Sequence, residues 1–142
     1  MRTPDELTVA FRHRGLKVTP QRQCIFRILH ANEMHPTAES VYAEAVAEMP
    51  TISLRTVYQT LNDLADMGEI RSLDLGTGSA RFDANTDGHH HLVCDRCGRV
   101  RDVYVDDHSV RLPPRKTLGY RVTSTEIVFR GLCDQCSTNL TP

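Results

Sequence analysis

SLRTVYQTLNDLADMGEIRSLDLGTGSARFD, running from Ser53 to Asp83, reads as one helix followed by one hairpin. Ser53 is a helix N-cap. Leu54, Val57, Leu61 and Leu64 recur at the three- and four-residue spacing of one helix face, and Gly68 reads as the C-terminal stop. Two short strand-like runs, EIRSLDL and SARFD, then flank the glycines of LGTGS, a hairpin signal. Working backwards, Thr37 opens a helix over TAESVYAEAVAEM. Thr19, with Pro20 at the first helical position, opens another over TPQRQCIFRILHAN, in which Ile25, Ile28 and Leu29 keep helical spacing. Three short helices followed by a hairpin spell a winged helix-turn-helix, expected over residues 1–82.

In such a fold the helix after Ser53 is the one placed to read a groove. With its apolar face turned inward, Arg55, Gln59 and Asn62 share the polar side, flanked by Thr56 and Tyr58. Arg, Gln and Asn pair bidentately with base edges, while hydroxyl groups suit phosphates. A merely solvated face would carry similar residues. Two features favour double-stranded DNA. The acids of this helix, Asp63 and Asp66, come late. The first 27 residues also hold six basic side chains (Arg2, Arg12, Arg14, Lys17, Arg22, Arg27) against Asp5 and Glu6. Lys17 and Arg22 join the candidate DNA contacts on that ground. Over the whole chain 17 Lys and Arg meet 18 Asp and Glu, a formal net charge of -1, so any nucleic-acid surface is local.

No apolar run approaches the roughly 18 residues needed to cross a bilayer, and MRTPDELTVAF lacks the apolar stretch of a signal peptide. A cytoplasmic location is therefore expected. In a reducing compartment, five cysteines point to metal rather than disulfides. After residue 82 the pattern turns to strands (HHLVC, RVRDVYV, YRVTSTEIVFRGLC), and Cys94-Asp-Arg-Cys97 and Cys133-Asp-Gln-Cys136 stand 35 residues apart. Two such pairs supply four thiolates to one tetrahedral zinc with no open position, a structural staple between the first and last strands. Two redox dithiols are disfavoured, because neither pair reads as the N-terminus of a helix in a βαβ unit. Cys24 reads as a small core residue.

The same first strand carries His89, His90 and His91. Alternation on a strand turns His89 and His91 to one face and His90 to the other. Two imidazoles on one face invite a second metal, and partners are at hand. Asp102 is in reach if the next strand pairs antiparallel, Asp83 ends the hairpin, and His35 precedes the second helix. Imidazole and carboxylate without sulfur suit Fe(II), Mn(II), Zn(II) or Ni(II), and affinity order does not choose among them.

LKVTPQR, HPTAESVY, SLRTVYQTL, SARFD, HHHLVCDRCG and GLCDQC together resemble the ferric uptake regulator family of metal-dependent bacterial repressors, nearly end to end over residues 5–137. The resemblance implies an α+β chain: a winged helix-turn-helix, a hinge at 83–88, and a small α/β dimerisation domain at 89–142. It implies a regulatory metal held by His35, Asp83, His89, His91 and Asp102, which sets the two winged helices of a homodimer at the spacing of an inverted-repeat operator. Asp at both carboxylate positions is most like the peroxide-sensing branch, in which bound Fe(II) reacts with hydrogen peroxide and a ligand histidine is oxidised, matching His35 or His89. Iron-sensing members usually carry Glu there, so an iron-, zinc- or nickel-responsive repressor without peroxide sensing is the alternative. The expected metals are a structural zinc and a regulatory iron or manganese, with zinc or nickel also compatible.

Two departures accompany the resemblance. Many members carry a further metal ligand where Thr125 stands, with Glu126 beside it, and another near Ser109, leaving His90 as the candidate for any additional metal. SVRLPPRKTLGY contains Pro113-Pro114, which cannot continue a helix, so the family's dimerisation helix is expected to shorten to a helix followed by a loop. An enzyme is not expected: outside the ligand set the chain offers no clear general base.

Overall fold

The computed structural model describes residues 1–106 and 108–138, so Asp107 and the end of the expected dimerisation domain lie outside the described residues. The chain forms two compact units, Met1–Thr86 and Asp87–Pro142.

Four helices and a hairpin make the first unit: α1 Pro4–His13, α2 Pro20–His30, α3 Ala38–Glu48, α4 Leu54–Asp66, β1 Arg71–Leu73 and β2 Arg81–Asp83. The caps of α2, α3 and α4 follow one rule. Thr19, Thr37 and Ser53 each sit in extended backbone and accept the amide three residues on, satisfying a donor the helix leaves open. Helix α1 is an addition to the three expected from periodicity. Thr3 and Glu6 form a reciprocal capping box around Pro4, a signal written in Thr-Pro-Asp-Glu. Its Leu7 and Phe11 join the core, where Phe11 meets Phe26 edge-on at 4.8 Å between ring centres.

Helix α4 buries Val57, Thr60, Leu61 and Leu64. Leu54, expected on the same face, is 36% exposed. It occupies the first helical position, where side chains lean back over the N-terminus and so ahead of the core. Thr60 enters the core because its hydroxyl donates to the Thr56 carbonyl at 2.8 Å. Gly68, at φ 74°, supplies the left-handed residue that ends the helix. Strands β1 and β2 then pair antiparallel, Arg71 opposite Asp83.

A three-stranded sheet, in the order β4-β3-β5, dominates the second unit: β3 His90–Cys94, β4 Val100–Val103 and β5 Val128–Gly131, followed by the short α5, Asp134–Thr138. Strand β4 returns antiparallel to β3, and β5 joins its other edge in parallel. Between β4 and β5 the only helical piece among the described residues is a 3-10 turn at Pro114–Lys116, shorter than the helix-then-loop expected there. Pro113 and Pro114 lack the amides a longer helix needs. Among the described residues, no helix is long and apolar enough to cross a membrane.

Candidate metal centres and recognition helix

Cys94 ends β3 and Cys97 closes the turn after it. The turn is held by a Gly98 amide donating to the Cys94 carbonyl at 2.9 Å, with Gly98 at φ 73°. Cys133 follows β5, and Cys136 lies in the first turn of α5. This pair therefore does open a helix, contrary to the sequence reading. Among the described residues no strand-helix-strand crossover surrounds it, however: β5 leads directly into α5. The parallel pairing of β3 with β5, with Cys94 opposite Gly131, carries the two pairs to one end of the sheet.

All four sulfurs lie within 4.8 Å of one another, and Cys97 Sγ stands 3.8 Å from Cys133 Sγ. Zinc–sulfur bonds of about 2.3 Å in a tetrahedron separate neighbouring sulfurs by about 3.8 Å, whereas a disulfide needs about 2.05 Å. The cluster thus has the dimensions of a four-thiolate zinc site and not of a disulfide. Backbone amides of Cys97 and Cys133 donate toward the Cys94 sulfur and bring its thiol down to about 6. Burial, then the neighbouring sulfurs, push Cys136 up to about 12. Ionising all four sulfurs this close together calls for a cation among them, which a divalent ion would supply.

The second set in this unit begins at His89, the residue before β3. His89 Nδ1 lies 2.7 Å from the Asp87 carbonyl oxygen, which can only accept, so that nitrogen carries the proton. His91 Nδ1 lies 2.9 Å from Glu126 Oε1, which assigns its proton the same way. In neutral rings both Nε2 atoms then present lone pairs, and they face each other at 3.1 Å. Asp102, opposite His91 on β4, completes a triangle: its Oδ1 is 3.2 Å from His89 Nε2 and 3.7 Å from His91 Nε2. Metal–ligand bonds of about 2.1 Å place neighbouring donors about 3.0 to 3.4 Å apart, depending on geometry. Two imidazoles and one carboxylate on one face form a set compatible with Fe(II) that leaves positions for further ligands.

His90 points to the other face, where its Nδ1 accepts the Ile127 amide at 3.0 Å. A neutral ring accepting there carries its proton on Nε2.

In the first unit His35 and Asp83 meet at 3.4 Å, Nε2 to Oδ2, both buried. The loop before α3 is clipped to β2 by the Phe82 amide, which donates to the Pro36 carbonyl, and by Arg81, which donates to the His35 carbonyl at 3.3 Å. His35 adopts φ 52°, a left-handed backbone that costs a non-glycine residue on the order of 1 kcal/mol and that tertiary contacts must hold.

On α4, Arg55, Tyr58, Gln59 and Asn62 are exposed, as is Lys17 in the loop before α2. Three of the candidate DNA contacts, Thr56, Arg22 and Tyr58, are engaged internally. The Thr56 hydroxyl and amide both bond Ser53 Oγ, closing the helix cap. Arg22 pairs with Asp63 at 3.0 Å and donates to the Lys17 carbonyl, its guanidinium lying over Phe11. Tyr58 donates its hydroxyl to Glu39 on α3 at 2.7 Å, which holds the Glu39 carboxyl below and the Tyr58 phenol above their usual ranges.

Sequence reasoning passed over the Asp87 carbonyl and Glu126 as partners of the His89 and His91 rings. A backbone acceptor has no sequence signal, and Glu126 resembles any acidic residue near a strand.

Comparison with known proteins returned one family and a consistent set of relatives. The model of the ferric uptake regulator family matches residues 13–130. The peroxide-responsive repressor PerR of Staphylococcus epidermidis is 34% identical over 137 residues, 93% of this chain and 89% of that protein. Among solved structures, the Campylobacter jejuni peroxide stress regulator aligns with a TM-score of 0.65 at 28% identity, covering 96% of this chain and all of that one. The Helicobacter pylori ferric uptake regulator, described with three functional metal-binding sites, aligns with a TM-score of 0.77 at 21% identity, covering 94% and 90%.

Proposed function

The chain belongs to the ferric uptake regulator family, and from that premise we propose that it is a metal-gated, peroxide-responsive repressor of transcription that works as a homodimer on double-stranded DNA in the cytoplasm. One observation carries the metal reading: the Nε2 atoms of His89 and His91 turn their lone pairs on each other, with the Asp102 carboxylate beside them. In water such a pair separates. It is held here by acceptors behind each ring, which suits a cation in front.

We assign the regulatory metal to His35, Asp83, His89, His91 and Asp102, the family resemblance being what joins the first unit's pair to the second unit's triangle. Bound iron would supply peroxide reactivity at this set, and manganese the same grip without it. His35 and Asp83 would then hold the winged helix in the DNA-binding arrangement only while the metal is shared, so metal and DNA strengthen each other's binding. Cys94, Cys97, Cys133 and Cys136 hold the structural zinc. Lys17, Arg55, Tyr58, Gln59 and Asn62 face DNA, with Thr56 capping α4 and Arg22 bracing it. His90 acts as an acceptor that locks β5 to β3. Exposed Val110, Leu112, Leu118, Tyr120 and Val122 in the second unit offer apolar surface for the second copy.

The test begins by selecting duplexes from a random library with the Mn(II)-loaded protein. Gel shift with the selected duplex should show binding with Mn(II) or Fe(II) that a chelator reverses. Low hydrogen peroxide should abolish the Fe(II) complex and spare the Mn(II) complex, with one oxygen atom gained on the peptide holding His35 or His89. Failure to bind any duplex in any metal state would sink the repressor reading. Binding that survives peroxide with Fe(II) loaded would leave a metal-responsive repressor without peroxide sensing.

A further inference from the structure

An imidazole ligand owes part of its affinity to the group on its other ring nitrogen, which fixes the tautomer, the ring plane and the basicity of the coordinating nitrogen. The two histidines of the second unit's triangle have different groups in that place. Behind His89 is a neutral backbone carbonyl, that of Asp87. Behind His91 is a carboxylate, Glu126 Oε1 at 2.9 Å. The His91 side chain is 1% exposed and that of Glu126 48%, so a surface charge orients a buried ring.

The backbone brings Glu126 to that ring. Its neighbour Ile127 is tied to β3 twice, its amide donating to His90 Nδ1 at 3.0 Å and its carbonyl accepting the His91 amide at 3.1 Å. Glu126 contacts the ring nitrogen directed away from His89 and Asp102. It therefore stands behind the ligand and outside the donor triangle.

We infer that Glu126 is a positioning residue of the regulatory metal site: its carboxylate holds His91 as the Nδ1–H tautomer with Nε2 turned to the metal, and so sets the metal affinity of the site. This rests on His89, His91 and Asp102 being metal ligands, as proposed above. Losing such a partner typically weakens metal binding about 10- to 100-fold. A glutamine at the position keeps an oxygen able to accept the same proton and preserves orientation without charge.

The experiment uses the full-length, zinc-loaded protein and its Glu126→Ala, Glu126→Gln and His91→Ala variants. Mn(II) affinity is read by competition with a fluorescent chelator, and the His91 tautomer by long-range proton–nitrogen NMR of the metal-free protein. Glu126→Ala should bind Mn(II) about 10- to 100-fold more weakly and lose the single His91 tautomer, while zinc content and melting temperature stay at parent values. Glu126→Gln should recover at least half of that loss on a logarithmic scale and keep the tautomer. Glu126→Ala binding Mn(II) within about twofold of the parent, while His91→Ala is strongly weakened, overturns the role of Glu126 and leaves the metal site standing. A Glu126→Gln variant as weak as Glu126→Ala also overturns it, because orientation alone then does nothing. If His91→Ala itself binds Mn(II) like the parent, the metal reading has failed.

Discussion

Stripping zinc from the full-length protein should unfold the second unit while the first keeps its structure. Among the described residues, the buried apolar side chains of the second unit are Val93, Cys94 and Val100. Fully burying a valine contributes about 1.5 to 3 kcal/mol, so the two together supply about 3 to 6 kcal/mol. A zinc ion on thiolates contributes about 10 to 16 kcal/mol of folding free energy at neutral pH. The metal term is therefore the larger, by roughly a factor of three. The first unit has its own core of fifteen buried residues, from Leu7 to Phe82. Chelator treatment of a Cys133→Ser variant, followed by two-dimensional amide NMR, separates the two units. Amides of β3 and β5 should collapse to random-coil shifts while those of α2 and α4 hold their positions. Dispersed β3 and β5 amides in protein shown by metal analysis to be zinc-free would refute the reasoning.

Three further substitutions test the first unit. Phe26→Ala should cost about 3 to 5 kcal/mol in denaturant unfolding, since the ring is fully buried and packs on Phe11; a loss below about 1 kcal/mol would mean that the site collapses around the gap. Arg55→Ala should weaken binding to the selected duplex by about 1 to 3 kcal/mol with zinc content unchanged, whereas Arg22→Ala should lower stability, by up to about 1 kcal/mol for its ion pair with Asp63, with a smaller effect on DNA. Equal losses of DNA affinity in the two variants would contradict the division of roles between them.

Much of the first unit was legible because its signals are local. Thr19, Thr37 and Ser53 cap helices in place, and a cap needs only the amide three residues on. The capping box at Thr3 was equally readable, but α1 has no long apolar period, and periodicity alone passed over it. Leu54 shows the limit of periodicity: it shares the spacing of the core face and stands outside the core, because where a neighbouring helix begins to cover a face is set by packing. Arg22 shows the same for charge, since a basic segment in sequence does not reveal that Asp63 lies against one of its members.

The winged-helix pattern, the paired CxxC motifs, and the alternation that sends His89 and His91 one way and His90 the other are all written in the chain. Each depends on neighbours a few residues apart or on the period of a strand. Which nitrogen of each ring faces forward is not written there. That choice depends on what stands behind the ring: the Asp87 carbonyl for His89, Glu126 for His91, and the Ile127 amide for His90. Two of those three partners lie on the far side of the chain's return to β5. A tautomer is set by a hydrogen bond, and a hydrogen bond across so many residues exists only once the sheet has formed.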